Sequence, residues 1–418
     1  MSNPVLDDFI LRARAVTVTE TAERLNLPRP KREAAGSRPW SSDVGQPCPV
    51  CGGKDRFSIN GGKQAWNCRH CGTGGRDGIS LAAFVLHYDP KSRTGFLEAC
   101  AAALDEQIPE GGERETEDER QAREERRNAS LAKLEADRAE RDRQQGEHRD
   151  REIQRARGIY FNAQECLDET LYGAQMIRAY LRHRTGCQVP MEIFFNLRFD
   201  GNHTYWHGQD DFGRPASLHS GAAMIAPFVT LDGHVTGCHE TWIDMRNAPK
   251  FRPDLGVDEK GEKLTTKKMR GTKKGSLVPL LGDMSARRWV GGEGIETVTA
   301  VAGFEGFRSD TFYFAAGDLG NLSGPADRGK GKSESYVVGG RKVAFWPYPK
   351  PDQSRDEAIQ LPAHVSALVL LADGDSEFYF TAAAMARAKS RLSVPGRDIS
   401  IWWPPQGADF ASLLCERA

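Results

Sequence analysis

The sequence predicts a multidomain α/β protein. Three observations carry that prediction: paired cysteines near the N-terminus, an abrupt block of mixed charge from Glu113 to Arg157, and a final third in which apolar strand candidates alternate with helix candidates. At 418 residues the chain has room for two to four domains, each with its own core. Its formal net charge of −1 supplies no global positive field, so any nucleic-acid binding must come from local basic patches. No apolar run approaches the roughly 20 residues that span a bilayer. The start, MSNPVLDDFILRARAV, lacks the basic, apolar and small-residue regions of a signal peptide. The expectation is a cytoplasmic protein without a membrane partner.

Residues 5–27 carry helical apolar spacing, with AVTVTETAERLNLP a short amphipathic helix stopped by Pro28. The Gly-, Pro- and Cys-rich stretch 38–75 contains two short strand candidates, FSI and AWNC, and is followed by the helix candidates ISLAAFVLHY and FLEACAAALD. The charged block has few apolar residues and many strong helix formers. It reads as an exposed helix laced with i,i+4 ion pairs, or as a partly frayed linker, and it lacks the heptads of a coiled coil. Residues 158–195 look helical, and 196–289 are rich in strand and turn signals, with Asp232-Gly233 as a hairpin turn. After about residue 290 the pattern alternates, with ARRWVGG, TFYFAAG, KVAFWP, HVSALVLLA and DISIWWP reading as strands, and ETVTAVAGF and FYFTAAAMARAKSRL as helices. Strands alternating with helices imply a largely parallel, doubly wound, Rossmann-like sheet.

Cys48, Cys51, Cys68 and Cys71 form a C-x2-C-x16-C-x2-C array. Two knuckle turns can present four thiolates at about 2.3 Å to one tetrahedral Zn²⁺, and four protein ligands close the site, which makes it structural. The other five cysteines are scattered singly and suit buried small hydrophobes in a reducing compartment. His70 reads as a solvated neighbour of the knuckle. Lys54, Arg56, Trp66 and Arg69 offer basic and aromatic groups suited to contacting single-stranded DNA, although Phe57 and Trp66 equally suit the ribbon's own small core.

Acidic residues follow three strand candidates: Glu293 and Glu296 after RWVGG, Asp373 and Asp375 after the LVLLA run, and Asp409 after DISIWW. In an open α/β sheet ligands bind at the carboxyl ends of the strands, so these carboxylates are expected to converge. Clustered carboxylates suit Mg²⁺ or Mn²⁺, which in phosphoryl transfer neutralise phosphate charge and polarise the attacking hydroxyl.

Glu293-Gly-Ile-Glu296-Thr297, Asp373-Gly-Asp375 and Gly407-Ala-Asp409 resemble the Toprim catalytic domain of bacterial-type, DnaG-like primases. CGGKDRFSI, WNCRHCG and GGRDGISL resemble the zinc-binding domain of that family, in particular its phage- and plasmid-borne, P4-like members. YLRHRTG, GCHETWID and TTKKMRGTKKG resemble the region preceding Toprim there. The resemblance implies a DNA primase that makes short RNA primers on a single-stranded DNA template from NTPs, with a replicative helicase as a further partner and a mobile element as its setting. Glu293, Asp373, Asp375 and Asp409 would be catalytic, the three aspartates would hold Mg²⁺ or Mn²⁺, and Lys267, Lys268, Arg270 and Lys273 would contact nucleotide or template phosphates. The expected domains are a zinc ribbon at 1–108, a charged helical linker at 109–157, an α+β basic region at 158–285 and a Toprim domain at 286–418.

Two departures stand out. Many Toprim enzymes read E-G-x-x-D, whereas here the second acid, Glu296, comes three residues after Glu293. Residues 318–362 look like an insertion, within which 324–331 imitates a phosphate loop without its Ser/Thr or its flanking strand and helix, so no ATPase site is expected. The alternatives are a Toprim nuclease, with water as the nucleophile at the same carboxylates, and an inactive single-stranded-DNA-binding replication accessory protein.

Overall fold

The structure is a computed structural model that describes residues 4–29, 40, 45–109, 116–210, 214–258, 261–374 and 376–415. The chain divides into two compact units, residues 1–146 and 147–418. Among the described residues no helix is long and apolar enough to cross a membrane.

In the first unit, α1 (Pro4–Arg14) and α2 (Val18–Arg24) precede four short strands, β1 (Gln46–Cys48), β2 (Gly52–Asn60), β3 (Ala65–Cys68) and β4 (Thr73–Gly75). Two helices follow, α3 (Gly78–Val85) and α4 (Arg93–Leu104). The strands make one antiparallel sheet in the order β1-β2-β3-β4. The helical spacing of 5–27 is divided between two helices because Thr17 starts the second. Its hydroxyl accepts from the Glu20 amide at 3.1 Å while the Glu20 carboxylate accepts from the Thr17 amide at 2.7 Å. That reciprocal cap satisfies two amides that a helix start leaves open.

The charged block forms one continuous helix, α5 (Glu117–Asn162). Ion pairs one turn apart run along it, such as Arg120–Glu124 at 3.3 Å, Arg143–Glu140 at 2.9 Å and Arg155–Glu152 at 2.7 Å. Exposed pairs of this kind each add only tenths of a kcal/mol. Within the second unit the last turns become apolar, and Ala156 and Tyr160 pack with Tyr205, Ile225 and Trp242.

Among the described residues the second unit holds two five-stranded sheets and a separate two-stranded hairpin. One is antiparallel and contains β5 (Gln164–Glu165), then, after α6 (Tyr172–Thr185), β6 (Arg198–Gln209), β7 (Pro215–Val229), β8 (Val235–Trp242) and β9 (Lys267–Gly271) in sequential order. The β7–β8 turn passes through Asp232-Gly233, and Gly233 takes the φ of +79° that such a turn requires.

The other sheet is built from β10 (Val278–Leu281), β11 (Arg288–Gly292), α7 (Ile295–Phe304), β12 (Thr311–Ala315), α8 (Leu319–Ser323), a separate hairpin of β13 (Glu334–Val338) and β14 (Arg341–Phe345), β15 (Ala367–Leu371), α9 (Phe378–Leu392), β16 (Asp398–Trp402) and α10 (Phe410–Cys415). Its strand order is β10-β12-β11-β15-β16. Strands β12, β11, β15 and β16 are parallel, and β10 is an antiparallel edge. The chain leaves β11 for β12 on one side and later returns to β15 on the other, so the strand order reverses between β11 and β15. Crevices at such reversals are where ligands bind in doubly wound sheets.

KVAFWP is a strand, but not of this sheet. Arg341–Phe345 pairs only with Glu334–Val338. Its residues are mostly exposed, whereas all of β12 and nearly all of β15 are buried, and a strand covered on both faces needs a continuous apolar run.

Candidate zinc centre and carboxylate cavity

Cys48 ends β1 and Cys68 ends β3, each followed by the tight turn that delivers the second cysteine of its pair. The four sulfurs all lie within 4.8 Å of one another, with Cys51 and Cys68 at 3.7 Å. Ligands at about 2.3 Å in a tetrahedron stand about 3.8 Å apart, so the cluster has the size that zinc requires. The amides of Val50 and Cys51 point at the Cys48 sulfur and that of Cys71 at the Cys68 sulfur, each at 3.4 Å. Such amides stabilise thiolate. Without a cation the four thiols conflict: the hydrogen bond with Cys51, together with burial, pushes Cys71 up to about 12. At Cys68, burial is outweighed by the Cys71 amide and neighbouring thiols, which bring it to about 7. A dication removes that conflict. Among the described residues this quartet is the one group of three or more His, Cys, Asp or Glu that converges so tightly. His70 is exposed.

Trp66 is a correction. It is 4 % exposed, stacks on Phe84 at 4.6 Å, lies 6.2 Å from Phe57, and donates its indole N–H to Ser80 at 3.1 Å. A small ribbon has little else with which to build a core, so its tryptophan is used there and has no face left for a base. Lys54 and Arg69 are exposed and Arg56 half-buried.

In the second unit, Glu293 follows β11, Asp373 follows β15 and Asp409 precedes α10, and all three line one cavity of about 460 Å³. Asp375 lies outside the described residues. The two aspartate loops are tied together: the Gly407 amide donates to the Gly374 carbonyl at 2.8 Å. Gly374 has no room for a side chain, since a Cβ would lie 2.5 Å from the Ala408 carbonyl oxygen and 2.8 Å from that of Pro405. The Asp373 carboxylate accepts from Ser376 at 3.0 Å, and that of Asp409 caps α10 by accepting from the Ser412 amide at 2.5 Å.

Burial, and after it the charges of Asp373 and Asp318, pushes the Glu293 carboxyl up to about 7, against the pull of Lys267 and Lys273. Burial beside two acidic neighbours makes ionisation of Glu293 costly. Glu296 behaves in the opposite manner. Burial alone would raise it, but Lys267 at 2.7 Å and Arg252 at 2.5 Å hold it well below the usual carboxylate range, and the Tyr180 hydroxyl donates to it at 2.6 Å. Glu296 is therefore committed to organising cations. The cavity lining carries both signs of charge, Glu293, Asp373 and Asp409 together with Arg184, Lys250, Arg252 and Lys267.

Strand β9 separates the basic cluster predicted from sequence. Lys267 faces the cavity, whereas Lys268 reaches the Trp206 carbonyl and lies 3.6 Å from the Tyr205 ring centroid on the opposite side of the sheet. Arg270 pairs there with buried Glu240 at 3.4 Å. Successive residues of a strand face opposite ways, so neighbours in sequence cannot all serve one site. Lys273, beyond the strand, pairs with Asp318. Sequence reading missed Arg184, Lys250 and Arg252. Arg184 lies inside the YLRHRTG segment, but nothing local marks any of the three as lining a cavity with acids about 40 to 225 positions further on.

Residues 44–79 match the family model described as the zinc-binding domain of primase-helicase, and residues 150–280 match a domain of unknown function (DUF7146). Among solved structures, the chain is similar to a DnaG primase catalytic domain bound to ssDNA, at 13% identity and a TM-score of 0.37, over 65% of this chain and 79% of that one. It is also similar to a DNA primase domain from Pseudomonas aeruginosa, at 12% identity and a TM-score of 0.35, over 63% and 74% of the two chains.

Proposed function

We propose that the chain is a zinc-ribbon DNA primase of the Toprim kind, joining ribonucleotides into short primers on single-stranded DNA during replication of a phage, plasmid or other mobile element. The observation that carries the reading is the cavity at the strand-order reversal, which Glu293, Asp373 and Asp409 line together with Arg184, Lys250, Arg252 and Lys267. The match of residues 44–79 to a primase-helicase zinc-binding domain supports it. In this reading the four parts are the ribbon to residue 108, the linker to 157, the basic region to 285 and the Toprim domain beyond.

Asp373, Asp375 and Asp409 would hold Mg²⁺ or Mn²⁺, which when bound neutralises phosphate charge and polarises the attacking hydroxyl. Arg184, Lys250, Arg252 and Lys267 bind the triphosphate. The buried Nε of Arg184 has no hydrogen-bond partner among the described residues, which suits an anion beside it. Glu296 fixes Arg252 and Lys267 in place, and Glu293 accepts the proton of the 3′-hydroxyl as its oxygen attacks the α-phosphorus and pyrophosphate leaves. The ribbon contacts the template through Lys54, Arg56 and Arg69.

The test is incubation with single-stranded DNA, labelled ribonucleotides and Mg²⁺ or Mn²⁺, followed by a denaturing gel. Short RNA products that vanish in Asp373→Ala are expected. Cleaved DNA would point to a nuclease, and bound but unreacted DNA to an accessory protein.

A further inference from the structure

The insertion between β12 and β15 carries a basic and aromatic segment. Residues 324–350 contain six basic residues, Arg328, Lys330, Lys332, Arg341, Lys342 and Lys350, against Asp327 and Glu334, within a protein of net charge −1. The same stretch contains Tyr336, Phe345, Trp346 and Tyr348. Its base is firmly attached: Arg387 of α9 donates to the Gly324 carbonyl, the Ser323 hydroxyl and the Trp346 carbonyl, and Arg391 donates to the carbonyls of Leu322 and Ser323. A hairpin fastened at its base, with a basic outer part, is a built element.

A row of rings leads from it toward the carboxylate cavity. Trp403, next to the loop that carries Asp409, lies 5.4 Å from Phe378, and Phe378 lies 5.5 Å from Tyr379. Tyr379 stacks on Tyr336 of the hairpin at 4.2 Å, and Phe345 lies 5.9 Å from each of them. A purely structural row would be covered. Here Phe378 is 48 % exposed, Trp403 39 % and Tyr336 37 %, while Phe380 and Tyr348, outside the row, are 56 % and 47 % exposed. Two of the cations sit over rings, Arg328 at 4.5 Å from Trp346 and Lys332 at 5.5 Å from Tyr348, so charge and aromatic surface are interleaved.

We propose that the β13–β14 hairpin and the exposed rings at the start of α9 form a binding track for single-stranded nucleic acid, delivering the strand to the cavity edge at Trp403. Exposed rings accept the faces of unpaired bases, which a duplex keeps stacked on one another, while lysines and arginines follow the phosphates. This combination favours a single strand over a duplex and is indifferent to sequence. The proposal rests on the nucleic-acid part of the reading above and not on its chemistry.

The test uses the full chain carrying Asp373→Ala, so that nothing turns over, and a fluorescein-labelled oligothymidine of about 25 nucleotides, read by anisotropy across a salt series. Reversing Lys330, Lys332, Arg341 and Lys342 to Glu should weaken binding at least tenfold at low salt. It should also flatten the dependence of log affinity on log salt by about 3, since each lost phosphate contact on a single strand removes about 0.7. Replacing exposed Tyr348 and Phe380 with Ala should weaken binding by about thirtyfold or more and leave the salt slope unchanged. Unchanged affinity and slope in the charge-reversed protein would overturn the proposal, as would a preference for duplex of the same length. If the charge reversal weakens binding but the unsubstituted enzyme makes no RNA, the track stands and the polymerase reading fails. If RNA is made and binding ignores the hairpin, the reverse holds.

Discussion

Replacing Glu293 with Gln should stabilise the protein above neutral pH in the absence of Mg²⁺. A carboxyl whose pKa rises from 4.5 to about 7 in the fold costs about 3 kcal/mol to keep ionised there, relative to the unfolded chain. The sign follows from which state holds the proton. Below pH 4.5 the group is neutral in both states and the wild type loses nothing. As pH rises toward 7 the unfolded chain ionises while the folded one keeps its proton, and stability falls. Above about 7 the full cost is present. Glu293→Gln removes that cost and keeps the shape of the side chain. Urea unfolding of both proteins between pH 4.5 and 8, zinc-loaded and free of Mg²⁺, should therefore show a variant advantage that grows with pH to about 3 kcal/mol. Adding Mg²⁺ at pH 8 should stabilise the wild type more than the variant, because a bound cation offsets the repulsion that the variant has already lost. An advantage independent of pH, or a variant less stable than the wild type at pH 8, would refute this account of the carboxylate cluster.

Cys48→Ser with Cys51→Ser should lower metal content from about one zinc per chain to none, as read by atomic absorption, and should unfold the ribbon without melting the second unit, because structural zinc supplies the ribbon's folding energy. Glu296→Ala leaves Arg252 and Lys267 without their carboxylate and should cost about 3–5 kcal/mol in urea unfolding, more than any of the exposed pairs along α5. Gly374→Ala forces a methyl against two backbone carbonyls and should lower primer synthesis on the order of 100-fold by separating the aspartate loops, with circular dichroism unchanged.

Much of the second unit's parallel sheet was legible because its strands are unbroken apolar runs that stop at glycine or acid, as in RWVGG before Glu293 and ALVLL before Asp373. Helix α9 was equally plain, since FYFTAAAMARAKSRL is dominated by Ala, Met, Lys, Arg and Leu. The four cysteines were legible because knuckle spacing is local. What could not be read depends on contacts distant in sequence. Glu296 is three residues from Glu293 yet is drawn into an ion cluster with Arg252 and Lys267. Lys267 and Lys268 are neighbours on opposite faces of β9. For Trp66 the sequence left a surface ring and a core ring equally open, and the core wins because the ribbon has few other large apolar side chains to bury.

The most direct measurement is Mn²⁺ binding to the zinc-loaded chain, followed by loss of the free-ion signal in electron paramagnetic resonance. Convergence of the acidic strand ends predicts Mn²⁺ bound to the wild type, with binding lost in Asp373→Asn and weakened in Glu293→Gln. Equal binding by wild type and Asp373→Asn, or no binding by either, would contradict a shared metal-holding pocket.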